Sequence, residues 1–331
     1  MSKTFLLWSS LALAATGVTA QAEETNPVDG EVLVNKLNGV FGRHAAKRAS
    51  GAKGFCAAGY LEPTAEAGQR FTSPLFQPGQ HQASIRFSNG GGNPASDDRA
   101  RSTRGIGVKM ELPDDDTMDW AGSNVPMFVA STPEEFVEYL TVRAKDPVTG
   151  KKDKAAIDAY SKANPHTLKT GKYIKARPAP ASVASTPYFM IHTFYLEGQD
   201  GKSHPVRWVF QPEGGYVGLT AEQEKTMPKD FLEAEFKGRV TSAPARWSIM
   251  VQFPKEGDPL NNANIAWPDD RETMKVGTLV ANSYVTKGSA NDCTGQVYDP
   301  LALPDGIEPS DDPMLEARSS SYAVSLTRRS E

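Results

Sequence analysis

Apolar residues return every third or fourth position through residues 26–50. Leu33, Leu37, Val40 and Phe41 share one face with Val34 beside them, which predicts an amphipathic helix ending near Gly42. The period then changes. Ala83-Ser-Ile-Arg86-Phe87-Ser88-Asn89 alternates sides and runs into Gly90-Gly91-Gly92, the pattern of a strand closed by a turn. Strand character returns at residues 188–195, 206–211, 246–253 and 275–282. A helix is predicted from Pro133, capped by Ser131 or Thr132, with Glu134 and Glu135 in its first turn and Phe136 and Tyr139 following. Others fall at residues 154–164 and within residues 220–237. The last starts at Asp312 and Pro313, because an aspartate can accept from the free N–H groups of a first turn and proline suits the first helical position.

At 331 residues, with 39% hydrophobic and 23% charged, the chain can bury a full core. No repeat, long charge block or Gly/Ser linker divides it. The net charge of −4 gives no reason to expect nucleic acid, although it leaves a local basic patch open. Residues 146–181 are polar and rich in lysine and read as a peripheral excursion.

The first residues have another character. Lys3, an apolar run at residues 5–15 and Thr19-Ala20-Gln21-Ala22 before Glu23 predict a signal peptide over residues 1–22, leaving residues 23–331 as one domain. The run falls short of the ~20 residues that span a bilayer, and no later segment is apolar enough, so a soluble, exported protein is expected, periplasmic in a Gram-negative cell. Cys56 and Cys293 are the two cysteines. An oxidising compartment permits a bridge, but sequence cannot show that their backbones approach; a disulfide and two separate buried thiols both stay open.

Candidate chemistry sits on the last helix. Leu315, Arg318 and Tyr322, at three- and four-residue spacing, stack a leucine, a guanidinium and a phenol on one face. A positive charge beside a phenol favours its anionic oxygen, which can bind ferric iron. By pattern alone such a pair is far more often a packed tyrosine with a surface arginine.

The words around the pair change that reading. Asp305-Gly-Ile-Glu-Pro-Ser310, then Met314-Leu315 and Arg318-x-x-x-Tyr322, resemble the C-terminal haem helix of catalases. Arg48-Ala-Ser-Gly51-Ala-Lys53-Gly54, Arg86-Phe87-Ser88, Arg104-Gly105, Gly122-Ser123-Asn124-Val-Pro126 and His192-Thr-Phe are similar to further words of that family, and the similarity runs over residues 28–329. The resemblance implies an α+β fold with an antiparallel β-barrel core, flanking helices and a C-terminal proximal haem helix. It implies haem b (iron protoporphyrin) as cofactor, with Tyr322 as iron ligand and Arg318 and His192 behind it. Arg48 and Arg86, with Arg329 as a further contact, would meet the haem propionates, Phe136 would lie near the haem face, and Ser88 would face the distal pocket.

Two positions depart from the family. Gly51 stands where catalases carry the distal histidine, and Ser123 where they carry the first asparagine of Gly-Asn-Asn. His44, seven residues before Gly51, cannot take the histidine's place, since Arg48 and Ala52-Lys53-Gly54 hold the register on both sides. The chain also stops soon after the proximal helix, as the short catalase-related peroxidases do. A positioned proton shuttle contributes ~10²–10⁴-fold, and glycine supplies none of it. The expectation is an exported haem peroxidase that reduces organic hydroperoxides with an unidentified electron donor, with hydrogen peroxide dismutation weak or absent. A non-catalytic haem carrier or sensor is the alternative, and a barrel for some other hydrophobe a third. A homo-oligomer stays open.

Overall fold

The computed structural model describes residues 28–330. The expected signal segment, residues 1–22, lies outside the described residues. Among those described, no helix is long and apolar enough to cross a membrane.

Nine strands, β1 (Gly54–Pro63), β2 (His81–Asn89), β3 (Arg104–Glu111), β4 (Thr117–Ser123), β5 (Tyr188–Glu197), β6 (Ser203–Pro212), β7 (Ala245–Gln252), β8 (Thr273–Val285) and β9 (Ile307–Pro309), alternate with eight α-helices. These are α1 (Gly30–Phe41), α2 (Ala65–Arg70), α3 (Pro133–Thr141), α4 (Lys154–Ala163), α5 (Lys169–Lys175), α6 (Gln223–Thr226), α7 (Phe231–Arg239) and α8 (Pro313–Ser330). Antiparallel pairing runs β4-β3-β2-β1-β8-β7-β6-β5, and Ser123 opposite Phe189 joins β4 to β5. The sheet thus closes into an eight-stranded barrel, which removes the exposed edges of an open sheet. β9 adds to the far part of β5.

Strand parity decides what lies inside. On β2, Ala83, Ile85 and Phe87 are buried in the core, and on β3 so are Ile106, Val108 and Met110. Large aromatics fill the barrel: Trp120, Trp208, Trp247 and Phe210 are fully buried, with Trp120 lying 5.2 Å from Trp208 and edge-on to Phe210 at 5.0 Å. The interior is therefore a packed core, and the residues between, Arg86 and Ser88 among them, are turned to the outer wall. A one-residue slip would exchange the two sets.

The outer wall is covered by α1, α3 and α8, which pack on one another. Asp29 caps α1 by accepting from Val32 N, and Gly42, at φ 88°, ends it where the apolar pattern stops. Thr132 caps α3 through Glu135 N at 3.3 Å. Asp312 caps α8 through Met314 N at 3.0 Å, a contact of a kind worth about 1 kcal/mol. Close approach of α1 to α8 needs Gly30, because a Cβ there would run into the backbone of Ser320. Arg328 on α8 also pairs with Glu31 on α1 at 2.9 Å, but Glu31 is 67% exposed, so this contact adds little.

Cys56 on β1 and Cys293 are joined by a disulfide. The cysteine question that sequence leaves open is closed in favour of the bridge.

Candidate functional site

A cavity of about 360 Å³ lies between the outer wall of the barrel and the three covering helices. On one side α8 presents Arg318 and Tyr322, one turn apart. Arg318 donates to the phenolic oxygen twice, from Nε at 3.1 Å and from Nη2 at 2.8 Å, and Nη2 also donates to the carbonyl of Ala121 on β4 at 2.9 Å. The barrel wall thus fixes the guanidinium, and the guanidinium fixes the phenol.

His192 on β5 also lines the cavity. Its Nδ1 lies 2.9 Å from Oδ2 of Asp312, and both side chains are buried. Burial pushes the imidazole down to about 4; the Asp312 hydrogen bond opposes this and Arg318 adds to it. His192 is therefore neutral near pH 7, with Nδ1–H donating to the carboxylate, and its Nε2 is buried without a partner. Asp312 does two jobs with its two oxygens, capping α8 and orienting His192. Sequence reasoning assigned it only the cap, since nothing in a single chain links position 312 to position 192.

Guanidinium groups gather at another part of the cavity. Arg48 donates to the carbonyls of Gln296 at 2.7 Å and Thr294 at 3.1 Å, Arg86 to the carbonyl of Gly51 at 2.8 Å, and Arg329 to the carbonyl of Thr294 at 2.9 Å. Among the described residues none of the three has a carboxylate partner. Arg48 is lowered to about 9, first by burial and then by repulsion from Arg86 and Arg329, and Arg86 to about 10, again chiefly by burial. Arg48 and Arg86 line the cavity; Arg329, on the last turn of α8, reaches them through its charge and does not line it.

Gly51, Ser88, Ser123 and Phe136 all line the same cavity, whereas His44 does not and instead contacts the carbonyl of Phe41, the last residue of α1. Gly51 lies at φ +68°, so its backbone occupies the left-handed region that glycine favours. A Cβ there would stand 3.2 Å from Ser88 Oγ, and no imidazole fills the place. Ser123 Oγ is engaged locally with the backbone of Val125, and Asn124 holds the start of β3 by accepting from Arg104 N at 2.8 Å. Phe136 packs edge-on against Phe128 at 4.8 Å, and both face the cavity. Lys53, from the same word as Arg48, is used structurally and bonds Asp98 at 2.6 Å.

Two tests bear on what the cavity can hold. Among the described residues no group of three or more His, Cys, Asp or Glu could hold a bare metal ion. A metal carried in a macrocycle needs only an axial ligand, and Tyr322 offers one. The half-buried guanidiniums of Arg48 and Arg86 have no carboxylate partner among the described residues, and their planar forks suit carboxylates. The orphaned Nε2 of His192 and the apolar wall around Phe128 and Phe136 complete a site that fits an iron porphyrin with anionic side arms.

A protein-family profile described as catalase matches residues 18–330. A catalase-related peroxidase of Synechococcus elongatus is 34% identical over 326 residues, covering 97% of this chain and 96% of its own. One from Mycolicibacterium paratuberculosis is 32% identical over 298 residues, covering 89% and 93%. Among solved structures, catalase A from Saccharomyces cerevisiae superposes with a TM-score of 0.76 at 20% identity, over 97% of this chain and 68% of that one. A fungal catalase gives 0.75 at 22% identity over 87% of this chain, which spans only 60% of that protein. At these identities the solved structures share the fold: the same antiparallel barrel with flanking helices.

Proposed function

The chain belongs to the catalase family, and we propose that it is an exported haem peroxidase that reduces organic hydroperoxides and dismutates hydrogen peroxide weakly or not at all. Proteins of this family bind haem, and the reading takes the group to be haem b. The observation that carries the proposal is the meeting, in one cavity, of the Arg318–Tyr322 pair with Arg48 and Arg86, two half-buried cations with no carboxylate partner among the described residues. In this reading residues 1–22 are a cleaved signal and residues 23–331 one domain.

When bound, the haem supplies the iron at which a hydroperoxide O–O bond is split. The chain's own residues set the conditions. Tyr322 would hold the iron through its phenolic oxygen, and the two donors of Arg318 would stabilise negative charge on it. Neutral His192, locked by Asp312, keeps one proton-free nitrogen, Nε2, on that side of the cavity. Arg48 and Arg86, with the charge of Arg329 nearby, would hold the propionates. Phe136 and Phe128 exclude water along one wall.

At the Gly51 position there is no base. The hydroxyls of Ser88 and Ser123 can orient a water or the hydroperoxide, but neither accepts a proton readily near neutral pH. Proton transfer between the two peroxide oxygens, worth ~10²–10⁴-fold when a side chain performs it, is left to water. The apolar wall formed by Phe128 and Phe136 suits the organic group of a hydroperoxide.

A second reading, a haem carrier or sensor without turnover, is favoured by Gly51, which lines the cavity without a side chain of its own and so offers a ligand no acid or base. The purified protein decides between them. A ferric spectrum of tyrosinate type that disappears in Tyr322→Phe supports haem binding, and failure to retain haem overturns both readings. Turnover of cumene hydroperoxide exceeding that of hydrogen peroxide supports the peroxidase; no turnover of either leaves the carrier.

A further inference from the structure

Residues 143–177 contain ten lysines and arginines against three acidic residues, a local charge of +7 on a chain whose total is −4. The rest of the molecule is correspondingly acidic, so the charge is segregated. The stretch comprises α4, α5 and the turns around them, and Lys151, Lys152, Lys154, Lys162, Lys169 and Lys172 are all exposed. Among the described residues no lysine of this stretch has a carboxylate partner. Lys152 is lowered by burial and then by its neighbours Lys145 and Arg143, so like charges are held together rather than neutralised.

A charged face alone is usually only solvated. The position of this one gives it meaning. Thr170 of α5, set between Lys169 and Lys172, lines the cavity, and its hydroxyl is buried with no hydrogen-bond partner. The turn between α4 and α5 is tied to α3 by the pair His166–Glu135, next to Phe136 on the cavity wall. Tyr160 of α4 reinforces this by reaching the carbonyl of Glu135. The basic surface is therefore continuous with the wall of the site, and an unsatisfied polar group marks the seam.

Reducing a hydroperoxide takes two electrons and two protons from outside, ROOH + 2e⁻ + 2H⁺ giving ROH + H₂O. We propose that the basic face of residues 143–177 gathers a small, multiply anionic one-electron donor at the cavity wall, two donor molecules each giving up one electron per turnover. The proposal rests on the peroxidase reading. A field of one sign beside a low-dielectric cleft raises the arrival rate of an opposite charge by ~10–10³-fold, and the effect fades as salt shortens the screening length from ~10 Å at 0.1 M to ~3 Å at 1 M.

The test uses the haem-loaded protein and a triple variant, Lys152→Glu/Lys169→Glu/Lys172→Glu, with the milder triple exchange to Gln as a check on folding. With cumene hydroperoxide as oxidant, ferrocyanide is the anionic donor and guaiacol the uncharged one. The expected result is a ~10-fold or greater fall in kcat/KM for ferrocyanide at low ionic strength, closing near 1 M salt, with guaiacol unchanged. Calorimetric titration with hexacyanocobaltate(III), an anion that gives up no electron, should show binding to the parent and weaker binding to both variants. Equal binding of this inert anion to parent and variants, or a parallel fall for ferrocyanide and guaiacol, overturns the proposal. Absence of turnover with both donors would overturn the peroxidase reading instead, while the inert anion still reports on the surface.

Discussion

Arg318 holds the oxygen of Tyr322 with two of its nitrogens, at 3.1 and 2.8 Å, while the second of these also grips the carbonyl of Ala121. The phenol is thus positioned by a group that is itself fastened to the barrel. Arg318→Leu should leave the fold intact but release Tyr322 from the two donors that hold its oxygen. The expected outcome is a shifted ferric haem spectrum and a haem affinity reduced by ~10-fold or more, since hydrogen bonds to charged groups are worth about 1.5–3 kcal/mol. Tyr322→Phe should abolish the tyrosinate bands outright. A parent-like spectrum in Tyr322→Phe would remove Tyr322 as the ligand.

The guanidiniums at the other part of the cavity predict a contrast between binding and folding. Arg48→Gln and Arg86→Gln should each speed haem transfer to an apoglobin by ~10-fold or more while shifting the urea midpoint of the haem-free protein little, because burial and mutual repulsion already disfavour these charges without an anion. Unchanged haem transfer in both variants would argue against carboxylates at this position.

Acid should destabilise the protein through His192. Its folded pKa, about 4, lies below the unfolded value of 6.5, so the unfolded chain takes up a proton first as pH falls. Stability is complete above pH 6.5 and declines toward pH 4, by up to about 3 kcal/mol from this group alone. Urea midpoints measured across that window should fall with pH in the parent and fall less in His192→Asn. Parallel slopes in the two proteins would place the acid sensitivity elsewhere.

The disulfide should matter twice. Cys56 and Cys293 are separated by 237 residues, and closing so long a loop stabilises by about 5 kcal/mol in the chain-entropy account. The segment it anchors also supplies the Thr294 carbonyl that receives both Arg48 and Arg329. Cys56→Ser/Cys293→Ser should therefore lower Tm and release haem faster than the parent. Haem retention equal to the parent, with Tm lowered, would confine the bridge to folding.

Restoring an imidazole tests the distal assignment. Gly51→His must place a side chain at φ +68°, at a cost of about 1–2 kcal/mol in the left-handed region, and its Cβ meets Ser88 Oγ at 3.2 Å. The expected result is lower Tm together with faster hydrogen peroxide consumption, whereas Gly51→Ala lowers Tm without the gain. If Gly51→His is no faster than Gly51→Ala, Gly51 does not face the reacting oxygens.

Much of this was legible in the chain because strands and helices carry simple periods. The alternation around Arg86 and Ser88 already sets them opposite Ile85 and Phe87, and the barrel places the two sets on its two sides as that pattern requires. The Asp312-Pro313 start and the Arg318–Tyr322 spacing likewise describe α8 as found. Long-range pairings were not legible. Position 312 meeting 192, and 56 meeting 293, depend on how the closed sheet brings distant segments together, and no local signal encodes either. Nor does the word around Gly51 reveal its φ, a backbone turned where most side chains are strained.

Gly30 and Ser320 touch backbone to backbone although about 290 residues lie between them. The first and last described helices thus shut the cavity together, and neither can do so until the ribosome has delivered both. No partial chain carrying the barrel alone has a finished site. Cofactor loading accordingly waits until both helices have been made and have met.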